Sequence, residues 1–141
     1  MINLTEKIIL VTGSSSGIGA AIALTLAEAG AAVILHYNNN EAGALKIAEK
    51  IGRNKCQIVK ADLTLEKGAI ALWEEALAWQ GRIDIIVNNA GIYIPATIED
   101  ELDVWSEVWQ KTLQVNLTAV GDLCREAIRH FQSRGGGTII N

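Results

Sequence analysis

The sequence has few of the features that are typical of disordered, membrane-spanning or secreted proteins. It contains one proline, and half of its 141 residues are hydrophobic, which excludes a disordered chain and favours one domain with a buried core. No apolar run reaches the ~18 residues that a bilayer requires, so no membrane association is expected. The first residues carry no basic segment followed by an apolar one, which argues against a secretion signal.

Positive charge and cysteine are scarce as well. The 12 lysines and arginines are outnumbered by 16 aspartates and glutamates, and this balance excludes the basic surface typical of nucleic-acid binding. Cys56 and Cys124 lie far apart, without a CxxC motif or neighbouring histidines. We expect them to be small core thiols in a reducing cytoplasm, with a disulfide or a metal site as the alternative.

Short β-branched runs alternate with longer helical patterns. The pattern predicts strands over 7–12, 31–37, 56–61, 83–87 and from 138 onward, and helices over 17–29, 41–51, 64–80 and 100–133. Such alternation builds a parallel, doubly wound α/β sheet, because its crossovers are right-handed. Thr64 is placed as the N-cap of the third helix.

Apolar spacing predicts which helix faces are buried. In the first helix the predicted stripe is Ile18, Ala21, Ile22, Thr25, Leu26 and Ala29, and in the third it is Ala69, Trp73, Ala76 and Leu77. In the last helix Trp105, Trp109 and Leu113 form a stripe that either packs onto the sheet or provides a dimer surface. We expect a homo-oligomer.

A loop of glycines and serines follows the first strand. Gly13, Gly17 and Gly19 allow a tight turn and a close approach of an anion to the backbone. The helix that begins at Gly17 would point its free N–H groups at that anion, which predicts a phosphate site for a dinucleotide. Further polar motifs follow the second, third and fourth strands, at 36–40, 62 and 88–91, on what would be the same edge of the sheet.

Four motifs in this order resemble those of the short-chain dehydrogenase/reductase family. They are TGSSSGIG at 12–19, Asp62-Leu63, NNAG at 88–91 and Val115-Asn116-Leu117. The resemblance covers essentially the whole chain. It implies a Rossmann-type doubly wound parallel sheet of about five strands in the order 3-2-1-4-5, with helices on both faces. It also implies one dinucleotide-binding domain over 1–141, incomplete at its C-terminus relative to the family.

The resemblance implies which residues form the site. The implied cofactor-binding residues are Thr12, Gly13, Ser14, Ser15, Ser16, Gly17, Ile18, Gly19, His36, Tyr37, Asn38, Asp62, Leu63, Asn88, Asn89, Ala90 and Gly91. Asp62 would meet the adenine ring. Asn116 would be catalytic, through an ordered water that leads toward the catalytic lysine of the family. No metal is implied.

The choice of cofactor depends on the end of the second strand. An acidic residue there would bond the ribose 2′-OH of NAD, but this chain has His36, followed by Tyr37 and three asparagines. The arginine or lysine expected for a 2′-phosphate is absent too. Because Ser14, Asn38 and Asn39 offer hydrogen bonds to a phosphate, NADP is the preferred expectation and NAD the alternative.

The catalytic serine and the Tyr-x-x-x-Lys motif of the family are missing from the 141 residues: Tyr37 is followed four residues later by Glu41, and Tyr93 by Thr97. We therefore expect the NAD(P)-binding portion of an oxidoreductase that transfers a hydride between the cofactor and a small carbonyl or alcohol substrate. This chain alone is expected to turn over no substrate. The alternative is a naturally short, non-catalytic nucleotide-binding or interaction protein.

Overall fold

Five strands form one parallel sheet in the order β3-β2-β1-β4-β5. The computed structural model describes residues 2–141. Its strands are β1 (Ile8–Val11), β2 (Ala32–Tyr37), β3 (Cys56–Lys60), β4 (Ile85–Val87) and β5 (Thr138–Ile140). The order confirms the one that the family resemblance implies, and it reverses between β1 and β4, where a ligand crevice is expected.

Five α-helices surround the sheet in the described part of the chain. They are α1 (Gly17–Glu28), α2 (Glu41–Ile51), α3 (Gly68–Gln80), α4 (Leu102–Leu113) and α5 (Ala119–Gln132). A π-helical turn, Gln114–Thr118, joins α4 to α5. The helix predicted over 100–133 is therefore helical through most of its length, but with one turn wound more widely.

The helices cover both faces of the sheet, and each face carries its own buried cluster. On one face the strands and α1 and α2 contribute Ile9, Val11, Val33, Leu35, Ala20, Ala23, Ile47 and Ala48. On the other, the strands and α3 and α5 contribute Leu10, Ile34, Ile86, Leu72, Trp73, Leu123 and Phe131. Because both faces are covered, every residue of β1 is buried, which explains its uninterrupted apolar run.

The inner face of α1 differs from the predicted one. Gly19, Ala20 and Ala23 are its buried residues, whereas Ile18 is 75% exposed and Thr25 is exposed as well. The helix is apolar on nearly all sides, so spacing alone did not identify the buried face. Small residues line that face because they allow the helix to lie close to the strands.

The third helix begins later than predicted. Thr64 is not its N-cap: α3 starts at Gly68, and Thr64 lies in the turn after β3. There its N–H and its hydroxyl both donate to Asp62 Oδ1, over 2.9 and 2.7 Å. The inward positions of Ala69 and Trp73 are as predicted.

Helix α4 lies at the surface. None of its residues is buried, and Trp109 and Leu113 are 50% and 45% exposed. The expectation that this stripe packs onto the sheet is therefore wrong. The ring centroids of Trp105 and Trp109 lie 5.8 Å apart, with the ring planes tilted by 37°.

The described residues also bear on membranes, metals and thiols. None of the helices within residues 2–141 is both long and apolar enough to cross a bilayer. The same residues contain no group of three or more histidine, cysteine or acidic side chains placed to hold a metal ion. Cys56 is buried, Cys124 is half-buried, and both are free thiols.

Candidate functional site

A cleft of about 270 Å³ lies where β1, β2, β3 and β4 end. It is lined by Gly13, Ser15, Ser16, His36, Tyr37, Asn38, Asp62, Leu63, Thr64, Asn89, Ala90, Gly91, Ile92 and Val115. The motifs that follow four separate strands thus meet at one edge of the sheet, at the point where the strand order reverses. The structure brings together the residues that the sequence predicted from separate motifs.

Some residues predicted to bind the cofactor do not line the cleft, and some lining residues were not predicted. The predicted residues that do not line the cleft are Thr12, Ser14, Gly17, Ile18, Gly19 and Asn88. The lining residues that were not predicted are Thr64, Ile92 and Val115. Thr64 follows Asp62 by two residues and shares its hydrogen bonds, so a search for Asx-type turns could have found it. Val115 belongs to the Val115-Asn116-Leu117 motif, but only Asn116 of that motif was predicted to act in the site, whereas Val115 lines the cleft.

The N-terminus of α1 is left free to bind an anion. Its N-cap, Ser16, makes no side-chain capping bond, and the first turn carries no acidic residue. Helix α2 differs: the side chain of Asn40 accepts from Gly43 N–H over 3.0 Å, and Glu41 lies in the first turn. The first N–H groups of a helix have no intrahelical acceptor, so those of α1 suit a phosphate or pyrophosphate.

Two glycines are required for the shape of the loop. Gly13 has φ +64°, which favours glycine. At Gly19 a Cβ atom would lie 2.3 Å from Gly13 O and 2.4 Å from Asn89 Nδ2. The start of α1 therefore touches the backbone of the preceding turn, and a side chain at Gly19 would separate them.

Hydrogen bonds from Asn89 and Thr12 tie the loop after β4 to the glycine loop. Asn89 Nδ2 donates to Thr12 O over 2.9 Å and to Gly13 O over 3.2 Å. The Thr12 hydroxyl oxygen accepts from the N–H groups of Asn89 and Ala90, over 3.0 and 2.9 Å. These two side chains link the backbone on either side of the cleft. Asn88 instead reaches the end of β5, donating to Asn141 Oδ1 over 2.7 Å.

His36 is buried beneath the glycine loop, with 2% of its surface exposed. Its Nδ1 accepts from Gly13 N–H over 3.0 Å, and its Nε2 lies 3.1 Å from Ala61 O. Since Nδ1 accepts, the neutral ring carries its proton on Nε2 and donates it to Ala61. Burial lowers the pKa of His36, which keeps the ring neutral at pH 7.

Asp62 presents one occupied and one open oxygen. Its Oδ1 accepts from Thr64 N–H, from the Thr64 hydroxyl and from Asn38 Nδ2. These bonds, those of Thr64 foremost, lower the pKa of Asp62. The carboxylate is thus ionised at neutral pH. No hydrogen bond to Oδ2 is found among residues 2–141, so this oxygen is open to a donor such as an adenine amino group.

Asn116 lies in the π-helical turn and pairs with the backbone of the loop after β4. Ile92 N–H donates to Asn116 Oδ1, and Asn116 Nδ2 donates to Ile92 O, both over 2.8 Å. The side chain therefore fixes the wall of the cleft at Ile92. The implied water relay through Asn116 remains a prediction.

The sequence profile of the short chain dehydrogenases matches residues 7–141. The chain belongs to the short-chain dehydrogenase family. One short-chain dehydrogenase relative is a cis-4-hydroxycyclohexanecarboxylate dehydrogenase from Sinomonas cyclohexanicum, 38% identical over 136 residues that cover 96% of this chain and 54% of the relative. Another is a 3beta-hydroxysteroid dehydrogenase from Mediterraneibacter gnavus, 37% identical over 96% of this chain and 49% of its own length.

Solved short-chain dehydrogenase structures share the fold. An acetoin dehydrogenase from Salmonella typhimurium superposes with a TM-score of 0.85 at 32% identity, over 96% of this chain and 53% of that one. A gluconate 5-dehydrogenase from Burkholderia cenocepacia, solved with NADP and tartrate, gives 0.79 at 35% identity, over 99% and 54%. The chain spans about half the length of the relatives that it matches, and it corresponds to the nucleotide-binding portion of a short-chain dehydrogenase.

Proposed function

We propose that this chain binds NADP(H) in the cleft, with NAD(H) as the weaker ligand. The observation that carries the proposal is the uncapped N-terminus of α1, held in place by the glycine loop at the edge where four strands end. The gluconate 5-dehydrogenase and a landomycin ketoreductase of similar fold were solved with NADP. No acidic side chain follows β2 within the cleft to repel a 2′-phosphate.

The cleft residues divide between the parts of the dinucleotide. The first turn of α1 would hold the pyrophosphate, and Asp62 would accept from the adenine amino group. Of the residues expected to bond a 2′-phosphate, only Asn38 lines the cleft: Ser14 is buried with its hydroxyl bonded to His36 O, and Asn39 is exposed outside the cleft. Ser15, Ser16 and Asn38 line the cleft at the side where the adenosine ribose would lie, and they would bond its 2′-phosphate. Asn116 would keep the Ile92 segment in place beside the nicotinamide end.

The activity that we propose for the longer protein is hydride transfer between a carbonyl or alcohol group of a small molecule and the cofactor, which supplies or accepts the hydride when bound. The match to the family over residues 7–141 favours this function over a non-catalytic interaction protein. The reading frame beyond codon 141 is expected to encode a serine and a Tyr-x-x-x-Lys motif at family spacing. A stop codon directly after Asn141 would contradict this.

A fluorescence titration of the purified chain with NADPH and NADH tests cofactor binding. We expect saturable binding of both, with NADPH the tighter ligand. Reduced nicotinamide mononucleotide is the control ligand, and we expect it to bind more weakly because it lacks the adenosine half. If neither dinucleotide binds at any concentration tested, the proposal is wrong.

Asn38→Asp should reverse the preference for NADPH. The new carboxylate would face the 2′-phosphate at close range, and like charges at that distance repel. The change also removes the bond from Asn38 to Asp62, which would affect both dinucleotides alike, so the ratio of the two affinities is the measure. We expect NADPH affinity to fall at least tenfold more than NADH affinity (about 1.4 kcal/mol). The matched control is Asn39→Asp, which adds the same charge at an exposed residue outside the cleft. Equal losses of NADPH affinity in both variants would contradict the placement of the 2′-phosphate.

We also propose that the exposed apolar surface of α4 is an interface between two copies of this chain. Leu102, Trp109 and Leu113 are exposed on one side of this helix, and an exposed apolar patch marks an association surface. Sedimentation velocity at micromolar concentration should show at least a dimer. Trp109→Glu should shift it toward monomer, whereas Gln110→Glu, at the neighbouring exposed position, should not. A monomeric wild-type chain would contradict the interface.

Finally, we propose a cytoplasmic location and a single dinucleotide-binding domain over residues 1–141. The two free thiols support the first, since disulfides are rare in that compartment. A single continuous sheet with a covered core on each face supports the second. Fractionation of cells that express the tagged protein is expected to place it in the cytosolic fraction.

A further inference from the structure

We propose that His36 is a pH-sensitive positioning residue for the dinucleotide. Its neutral ring joins the glycine loop to the end of β3, and protonation of the ring releases the loop and weakens cofactor binding. The inference rests on the proposed function, because the affinity that it regulates is that for NADPH. It concerns the support of the loop rather than any contact of His36 with the ligand.

The first step of the argument is that only one form of the ring fits. Gly13 N–H points at Nδ1, so this nitrogen must be unprotonated, and Nε2–H then donates to Ala61 O. The backbone of His36 holds the same loop, because its carbonyl accepts from Ser14 N–H over 2.9 Å. A second proton, on Nδ1, would face the Gly13 N–H and remove its only side-chain acceptor.

The second step is that the position of Gly13 sets the shape of the site. Gly13 O accepts from Asn89 Nδ2 and lies against the first turn of α1, so close that Gly19 has no room for a Cβ atom. A displacement of Gly13 would therefore move both the start of α1, which we expect to hold the pyrophosphate, and the link to the loop after β4. A small change at the ring thus reaches both sides of the cleft.

The third step concerns the charges around the ring. Neither β1 nor the glycine loop, residues 8–19, contains a charged side chain. Asp62, after β3, is the nearest acidic group in sequence to Ala61, and its Oδ1 is already bonded to Thr64 and Asn38. On β2, burial and Glu41 raise the pKa of Tyr37, so its phenol is neutral.

Two further carboxylates act near this end of β2. Glu41, at the start of α2, and Glu75, on α3, both influence Tyr37 rather than His36. No anion is therefore paired with the ring, and burial disfavours the imidazolium, in agreement with its lowered pKa.

The direction of the pH dependence follows from linkage. The loop conformation that binds the cofactor requires neutral His36, whereas a released ring regains its ordinary pKa of about 6.5. The binding state therefore carries fewer protons. Because the ring is already buried in the free chain, affinity falls as the pH drops through the lowered pKa of His36, which lies below 6.5. We expect NADPH affinity to decrease from about pH 7.5 downward, in excess of the ligand's own titration, and to be at least fivefold lower at one pH unit below the pKa of His36 in the free chain.

Variants of His36 distinguish its titration from that of the ligand, because the 2′-phosphate of NADPH itself titrates near pH 6 (pKa about 6). In His36→Asn, the amide oxygen takes the place of Nδ1 and accepts from Gly13 but does not titrate. We expect His36→Asn to bind NADPH within about threefold of wild type at pH 7.5, a difference of about 0.7 kcal/mol, and to show a shallower loss at pH 5. His36→Leu removes both bonds and should bind at least tenfold more weakly at both pH values.

His130 provides the matched control. It is the other histidine of the chain, and it too accepts a backbone bond, from Ile83 N–H over 3.2 Å, but on α5 and outside the cleft. His130→Gln should therefore leave the pH dependence of NADPH affinity unchanged. A loss of that dependence in His130→Gln, or its retention in His36→Asn, would overturn the proposal.

Imidazole NMR of the free wild-type chain tests the ring without any ligand. With His130→Gln to assign the spectra, long-range ¹H–¹⁵N correlations should show His36 protonated on Nε2 alone and titrating below its ordinary pKa. A ring protonated on Nδ1, or one that titrates at the ordinary value, would overturn the proposal that neutral His36 holds the glycine loop. If the spectra agree but no dinucleotide binds at any pH, the proposed function fails, whereas the support of the loop by neutral His36 stands.

Discussion

Gly19→Ala should eliminate most of the affinity for NADPH. The added Cβ would meet a carbonyl oxygen at 2.3 Å and the Asn89 amide at 2.4 Å, and neither belongs to a flexible chain end, since Asn89 is held by its bonds to Thr12. Relief of this overlap must move α1 away from the loop, at a cost of about 1–3 kcal/mol in stability. We expect at least a tenfold loss of affinity by fluorescence titration, and a lower midpoint in urea.

The matched control is Gly121→Ala. Gly121 lies in α5, and apart from its chain neighbours and the nearby backbone of its own helix no atom lies within 4 Å of the position that its Cβ would take. Alanine is the better helix former by about 0.5–1 kcal/mol, so this variant should be slightly more stable and bind NADPH as wild type does. Unaltered binding by Gly19→Ala would mean that the close contact between α1 and the loop is not needed for the site.

Asn89→Asp should be the most destabilising isosteric change in the site. The amide group of Asn89 donates to two carbonyl oxygens, Thr12 O and Gly13 O. A carboxylate of the same shape loses both bonds and places negative charge against those oxygens. We expect a decrease of about 2–3 kcal/mol in the free energy of unfolding, measured by urea denaturation at neutral pH.

Asn54→Asp makes the same chemical change at an exposed residue in the turn before β3. It should alter stability by less than about 0.5 kcal/mol, as surface substitutions usually do. If Asn89→Asp also stays within that range, the amide bonds of Asn89 do not hold the two loops together. Protonation of the new carboxylate offers a further check. The two carbonyl oxygens raise its folded-state pKa, so the loss of stability in Asn89→Asp should diminish as the pH falls through that raised pKa and should be gone below the unfolded pKa of about 4.

The architecture was predictable because strands covered on both faces leave a clear trace in the sequence. The apolar runs around Ile8–Val11 and Ala32–Tyr37 identified β1 and β2 to within a residue or two. Strand β4 was predicted to begin at Ile83, but Ile83 N–H bonds to His130 instead, and the strand starts at Ile85. Such contacts between distant residues cannot be derived from local spacing.

The site, too, was predictable in part. Its motifs are contiguous in sequence, so their place at the strand ends was predictable. The contacts that give each residue its role were not: Asn116 pairs with Ile92, 24 residues away, and the bond between Gly13 and His36 spans 23 residues. The resemblance placed His36 among the cofactor-binding residues, whereas its ring bonds the backbone beneath the loop.

The central place of β1 determines how the site responds to thermal fluctuation. β1 is hydrogen-bonded to β2 on one side and β4 on the other, whereas β5 pairs with β4 alone and none of its residues is buried. In amide hydrogen exchange, β5 should lose its protons through local opening and β1 only when the whole sheet unfolds. Because the glycine loop continues directly from β1, a dinucleotide bound there should slow exchange of the β1 amides, which requires unfolding of the site, and leave unchanged the β5 amides that exchange by local opening.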